Sequence, residues 1–323
     1  MYNLIKIIDI NSLVICGGGT KGYLIFGILK LLYEKNILKK IKYFYGTSIG
    51  GVFITCLVMG WSINEIYNLI INFPLEKLIN YNIKKFLDNN GLISKNKYET
   101  LLKKILKYKG FDENITLYDL FKISNLELNL FTYSIKYNKT KCLNYLNTPN
   151  LKVWEALFMT TSVPFLFPPY HYDNDLFIDG GILDNYPINW INIKNKNKFI
   201  GIYVKPDLLD YYYIFSIFNN KNIIAYMKYI INIFHILILK NNICLDNTFT
   251  LNYDSVKYKS HFLDFSLDID FKKNMINDGY EQAIFQYNDI IEKLFISQVS
   301  NLKQIILEKS LIFPEQLDLV RNI

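Results

Sequence analysis

The stretch "YFYGTSIGG" (Tyr43–Gly51) decides how this chain is read. The aromatic-rich run Lys42–Tyr45 predicts a strand, and the apolar run Ile49–Met59 predicts a buried helix. Between them, Gly46, Ser48 and Gly50 form G-x-S-x-G, in the strand–turn–helix context that a nucleophile elbow requires. Such a turn is too sharp for side chains at its flanking positions, so glycine stands at both. It leaves the serine exposed at the N-terminal end of a helix whose dipole favours negative charge. Ser48 is the candidate nucleophile.

Upstream, "LVICGGGTKGYLIFG" (Leu13–Gly27) carries a second glycine loop between a predicted strand, Ser12–Cys16, and a predicted helix, Gly22–Tyr33. Gly17, Gly19 and Gly22 match the G-x-G-x-x-G of a dinucleotide-binding turn. That reading also needs an acidic residue about 20 residues on, at the end of the second strand; the second strand here ends in the serine elbow instead. Both loops follow strands, so both fall on the carboxyl rim of an open parallel sheet, where sites form. Attack on an ester creates an oxyanion, which needs N–H donors already in place. Gly17, Gly18 and Gly19 offer backbone N–H groups with no side chain in the way. The oxyanion-hole reading explains both loops and the nucleotide-binding reading only one, so the latter stands as a rival.

Further along, "SINE" (Ser62–Glu65) is a capping box that opens a helix. Asn96–Lys107 and Thr116–Phe121 read as amphipathic helices, and Leu126–Ile135 with Lys141–Tyr145 as a strand pair. Val153–Thr161 reads as a short helix, Asp175–Ile178 and Phe199–Val204 as strands, and Phe271–Leu294 as a long helix. Strands alternating with helices predict an α/β fold: three layers, α/β/α, around a mostly parallel central sheet. With no internal repeat or linker, a single domain over residues 1–323 is expected, its core about 12–295 and 297–323 a C-terminal appendage.

A serine hydroxyl needs a base. The histidines are His171, His235 and His261. A triad in the order serine, acid, histidine is met by Ser48, Asp179 and either His235 or His261. His235 sits mid-helix in an apolar stretch and His261 in a segment without special local chemistry, so neither reads as a catalytic loop histidine. Asp179 does stand out. In "LFIDGGILDNYP" (Leu176–Pro187) it ends a strand before Gly180 and Gly181, which let backbone approach closely and leave the carboxylate on the rim.

Together these segments resemble the patatin-like phospholipases, a family of lipid acyl hydrolases. The resemblance rests on "GGGTKG" (Gly17–Gly22), "GTSIGG" (Gly46–Gly51) and "DGG" (Asp179–Gly181), in that order. "MTTSVPFLFPP" (Met159–Pro169), "DNYP" (Asp184–Pro187) and "NDGYEQA" (Asn277–Ala283) add to it. The resemblance implies a Ser48–Asp179 dyad without histidine, an oxyanion hole in the glycine loop, and catalysis without calcium or another cofactor. It places Lys21 where the family carries Arg or Lys, either steadying the loop or adding positive charge near a phosphate head group. An Asp acting as base near neutral pH implies burial that raises its pKa.

Composition bounds the partners. Hydrophobic residues make up 51% and charged residues 20% of 323, ample for a core. The net charge of +7 comes almost wholly from lysine, and Arg321 is the one arginine. An AT-rich coding bias accounts for abundant Lys, Asn, Ile and Tyr, and weak attraction to anionic membranes is the functional alternative. No nucleic-acid motif appears. Cys16, Cys56, Cys142 and Cys244 lack CxxC or metal-ligand spacing and read as reduced thiols. With no signal peptide or membrane span in the sequence, the expectation is a cytoplasmic protein, peripheral at membranes, that takes phospholipid or another acyl lipid as substrate. Oligomeric state is left open. Candidate acyl-groove segments are Phe165–Tyr170, Tyr211–Phe218 and Ile223–Leu239. Rival functions are an acyltransferase and a non-catalytic lipid- or partner-binding module.

Overall fold

A computed structural model describes residues 8–72, 75–79, 86, 88, 90–192, 195–205, 246–253 and 267–312. In chain order the elements are β1 (Ser12–Ile15), α1 (Gly22–Glu34), β2 (Tyr43–Thr47), α2 (Ile49–Val58), α3 (Ile63–Asn72), α4 (Lys95–Tyr108) and α5 (Leu117–Ser124). There follow β3 (Glu127–Ser134), β4 (Lys139–Leu143), α6 (Val153–Thr161), β5 (Tyr170–Tyr172), β6 (Asp175–Asp179), β7 (Phe199–Val204), β8 (Thr248–Leu251) and α7 (Ile269–Ile312). Among the described residues one mixed sheet runs β5-β6-β3-β2-β1-β7-β8, with β4 also paired to β3. Strands β8, β7, β1, β2 and β3 are mutually parallel; β4 and β6 run against β3.

The central strands SLVI (β1) and FIGIYV (β7) are buried at every position, because helices flank the sheet and a parallel strand so covered is apolar on both faces. Helix α2, IGGVFITCLV, is nearly all apolar for the same reason. The expected capping box forms: the Ser62 amide donates to Glu65 Oε2 at 2.7 Å and the Glu65 amide to Ser62 Oγ at 3.2 Å. The β3–β4 pair forms too, but around a four-residue turn, so β4 begins at Lys139, two residues before the sequence pattern places it. Strands β5 and β8 lie outside the sequence reading: β5 is only three residues long, and β8, TFTL, lacks the unbroken apolar run by which β1 is read.

Helix α7 lies along α1 and the β8 edge. A Cβ on Gly279 would meet Leu24 O at 2.1 Å, and one on Gly27 would meet Ile276 O at 2.3 Å. These two glycines let the helix backbones touch, which gives "NDGYEQA" a packing role. Farther along, the Gln286 side chain exchanges bonds with the Thr250 backbone (N to Oε1 2.8 Å, Nε2 to O 2.9 Å), and Gln282 does the same with Asn252. Edge strand β8 thus has its unpaired backbone groups met by glutamine amides. The helix continues unbroken past Ser297, where the sequence pattern suggests an appendage.

No described helix is long and apolar enough to cross a membrane; the apolar run Ile223–Leu239 lies outside the described residues. Cys16 and Cys56 are buried free thiols whose pKa burial pushes up to about 12, so they pack as small apolar groups. Cys142, half-buried on β4, is also free, and Cys244 is outside the described residues. Gly279→Ala is expected to lower stability by about 2 kcal/mol or more through overpacking, read as a drop in the urea midpoint with wild-type secondary structure; an unchanged midpoint would show that the helices can part without cost.

Candidate active site

The register of β3 assembles the site. Leu130 and Phe131 pair with Gly46 and Thr47 of β2 on one flank and with Leu143 and Cys142 of β4 on the other. From Thr132 to Ser134, β4 keeps its flank while β6 takes the flank that β2 has left. Thr47 therefore sits on the Phe131 rung and Asp179 on the Thr132 rung, one step of about 3.3 Å apart. Ser48, the next residue after Thr47, turns off the sheet at the place where Asp179 arrives from the opposite direction.

The elbow is strained and braced. Ser48 has φ 54° and ψ −125°, a conformation that costs a non-glycine residue of order 1–3 kcal/mol. Its amide donates to Thr160 Oγ1 at 3.0 Å, and the Thr160 hydroxyl donates to Phe131 O at 2.6 Å. Thr160, which the sequence offers only as part of a family-like segment, thus fixes the elbow to β3. The flanking glycines are required by contact: a Cβ on Gly46 would meet Gly50 C at 2.8 Å, and one on Gly50 would meet Cys16 O at 2.6 Å. Ser48 caps the N-terminal end of α2, where the helix dipole favours a developing oxyanion.

Asp179 is 4% exposed and Ser48 8%. Asp179 Oδ1 accepts from the Gly181 amide at 2.7 Å, and its own amide donates to Ser162 O at 2.9 Å. Oδ2 is buried and has no hydrogen bond of ordinary geometry. Burial raises the carboxyl to about 7, while the nearby Ser48 hydroxyl, and then the Gly181 amide, pull it down in part. A carboxylate with one free oxygen, a pKa near neutrality and a serine hydroxyl beside it has the makings of a general base. This is the burial that the sequence resemblance implies.

The glycine loop departs from expectation at one point. The Gly17 amide donates to Asn185 O at 3.0 Å, so this N–H is spent on the fold and Gly17 drops out of the expected set of oxyanion donors. Its role is clearance: a Cβ there would meet Asn185 Oδ1 at 2.5 Å and Ser48 Cβ at 3.1 Å. Gly18 and Gly19 remain as the candidate donors, and Gly19 takes a left-handed φ of 55°. Asn185 also donates through Nδ2 to Gly17 O at 3.2 Å, and the neighbouring Asp184 O accepts from Thr47 Oγ1 at 3.1 Å. The "DNYP" segment therefore ties the glycine loop to the serine strand, a role with no signal in the sequence beyond the family likeness.

Of the other supporting residues, Gly22 lies against Ile49 Cγ1, Gly180 against Phe131 O, and Gly181 against both Asn185 Oδ1 and Asp179 Oδ1. Lys21 is 3% exposed, its ammonium 4.5 Å from the centre of the Tyr253 ring; it is packed beneath the loop. His171 is exposed on β5. His235 and His261 lie outside the described residues, as does the candidate groove segment Tyr211–Phe218.

Beside Ser48 opens a cavity of about 130 Å³, walled mainly by apolar side chains. Phe167 comes from the expected segment Phe165–Tyr170 and Val163 from just before it, but most of the wall comes from helices: Val52 and Phe53 of α2, Ile70 of α3, Leu102 of α4. Tyr98 of α4 adds a polar point, its hydroxyl 2.9 Å from Thr161 Oγ1. Sequence reading missed α3 and α4 here because their apolar stripes look like any core-facing helix.

Known proteins share part of this sequence and this fold. The model of the patatin-like phospholipase family matches residues 13–189, and the chain belongs to that family. It is 30% identical over 200 residues to uncharacterized protein R571 of Acanthamoeba polyphaga mimivirus, spanning 60% of this chain and 65% of that protein. It is 27% identical over 197 residues to probable lipid hydrolase 463L of Invertebrate iridescent virus 6, spanning 58% and 67%. In fold it resembles VipD from Legionella pneumophila, with a TM-score of 0.57, 17% identity, and coverage of 90% of this chain and 67% of that one.

The buried carboxyl makes a stability prediction. Its pKa is about 7 folded against 3.8 for the free group, so the folded chain holds a proton that the unfolded chain has lost, and stability falls as pH rises from about 4 to about 7. Asp179→Asn removes that slope. Relative to wild type it should gain roughly 4 kcal/mol between pH 4 and pH 8, measured by urea unfolding at both; a difference that does not change with pH contradicts the raised pKa.

Proposed function

We propose that this protein is a lipid acyl hydrolase that cleaves carboxylic ester bonds of phospholipids or related acyl lipids through a Ser48–Asp179 dyad. The observation that carries the reading is that Ser48 turns off β2 just after the Phe131 rung while Asp179 enters the same flank of β3 at the next rung, Thr132, with Asp179 buried and its Oδ2 unbonded. Family membership supports an ester-cleaving reaction, and the apolar cavity beside Ser48 suits an acyl chain.

In the first half-reaction the Ser48 hydroxyl gives its proton to Asp179 Oδ2 as Oγ bonds to the acyl carbonyl carbon. The carbonyl oxygen takes the negative charge and is held by the Gly18 and Gly19 amides at the positive end of α2. The tetrahedral species collapses, the bond to the alcohol oxygen breaks, and Asp179 returns the proton to the departing alcohol. Water then attacks the acyl carbonyl carbon while Asp179 takes its proton, the bond to Ser48 Oγ breaks, and Asp179 returns the proton to Oγ, releasing fatty acid and restoring Ser48. An alcohol in place of water would make the same chemistry an acyl transfer.

The test is fatty-acid release from mixed phospholipid vesicles and from a triacylglycerol emulsion, with a calcium chelator present. Ser48→Ala and Asp179→Asn should each lower the rate by about 10³ or more, with wild-type folding. Wild-type kcat/KM should rise with pH through a midpoint near 7, following ionisation of Asp179. The double variant His235→Ala/His261→Ala should keep its activity; loss of activity in a folded double variant would overturn the dyad. A folded wild type that releases nothing from either lipid would overturn the hydrolase reading.

A further inference from the structure

Strand β3 does not stop at the site. It passes the Asp179 rung by two more residues, about 7 Å, before the turn Ile135–Asn138 carries it into β4. Because β3 runs parallel to β2, this overshoot projects from the same rim on which Ser48 lies. The hairpin is held stiffly. The Ile135 amide donates to Leu176 O at 2.9 Å. Asp175 is buried and takes the Lys136 amide at 3.0 Å, its own neighbour's amide from Leu176 at 2.7 Å, and the Ser134 hydroxyl. The Tyr133 hydroxyl donates to Asn138 Oδ1.

What this rigid tip presents is unusual for a surface turn. Ile135, Lys136, Tyr137, Asn138 and Lys139 are all exposed, Tyr137 at 55%. The ammonium groups of Lys136, Lys139 and Lys141 stand 5.4, 6.0 and 4.6 Å from the centre of the Tyr137 ring. None of the three forms an ion pair with a described carboxylate. Asp175 beneath the tip attracts Lys136 but is already committed to the hairpin's hydrogen bonds, and Asp173 on the neighbouring β5–β6 turn is exposed. Three cations around one amphipathic ring, with an exposed isoleucine beside them, match the headgroup zone of an anionic bilayer. Tyrosine favours the interface, and lysine stems lie along apolar surface while their heads meet phosphate. Each lysine near such a surface raises affinity roughly fivefold.

We propose that the β3–β4 hairpin tip, Ile135–Lys141, is a docking element for anionic lipid surfaces that sets the rim bearing Ser48 against the bilayer. The proposal deepens the lipid reading of the site and rests on it. The test separates the two, because binding is read on Ser48→Ala protein, which keeps the hairpin, while turnover of a soluble short-chain ester reports the site alone. Co-sedimentation is measured with phosphatidylcholine vesicles, with and without phosphatidylserine. Ser48→Ala protein should bind the phosphatidylserine vesicles and release with salt. Adding Lys136→Gln, Lys139→Gln and Lys141→Gln together should weaken binding by at least about tenfold, and Tyr137→Ala should weaken it separately. With Ser48 restored, the same variants should hydrolyse the soluble ester at the wild-type rate, which also shows that they fold. Undiminished binding by the triple variant, equal binding to neutral vesicles, or tighter binding of homopolymeric RNA than of phosphatidylserine vesicles would each overturn the proposal.

Discussion

The site depends on a shared strand flank. Strand β3 offers one edge to two partners in succession, β2 up to Phe131 and β6 from Thr132 on. One parallel strand must turn away for one antiparallel strand to arrive, and the turn that makes room is the elbow bearing Ser48. A slip of one residue in either pairing would send Ser48 or Asp179 to the other face. The close contacts at Gly46, Gly50 and Gly180 hold both pairings in place. Ser48 and Asp179 are thus positioned by backbone hydrogen bonds, and not by flexible side chains alone.

Burying a carboxylate without full hydrogen bonding is costly, and this fold accepts that cost at Asp179. Oδ1 of Asp179 is satisfied by Gly181 while Oδ2 is not. The result is a carboxyl whose affinity for a proton has risen from that of a weak base to one matched to neutral pH. The surroundings spend their polar groups on geometry: Thr160 holds the elbow, and Asn185 joins the glycine loop to the turn after Asp179. That the Gly17 amide is used by Asn185 follows the same pattern, since this bond anchors the glycine loop to the turn after Asp179.

Much of this was legible in the sequence, for definite reasons. Strands β1 and β7 read clearly because parallel strands covered on both faces are unbroken apolar runs. The three loops read clearly because close backbone contact excludes every residue but glycine. Strand β5 did not read, since three residues carry no periodicity; β8, TFTL, is as short as β1 but lacks its unbroken apolar run, and takes its support from glutamines some 30 residues away in sequence. Thr160 and Asn185 are polar residues in segments where many polar residues occur, and only the fold reveals which ones reach Ser48 and Gly17. The pocket wall was misjudged in the same way: the stripes of α3 and α4 that face the cavity cannot be told in sequence from stripes that face a core.

The central claim is that Asp179 is a buried base poised by Ser48, and its protonation can be watched directly. The carboxyl C=O infrared band, followed against pH as a difference between wild type and Asp179→Asn, should show one group titrating near 7. In Ser48→Ala the midpoint should move higher, because the hydroxyl that favours the ionised form is gone. A carboxyl that titrates near 4, or one indifferent to the loss of Ser48, would contradict the account.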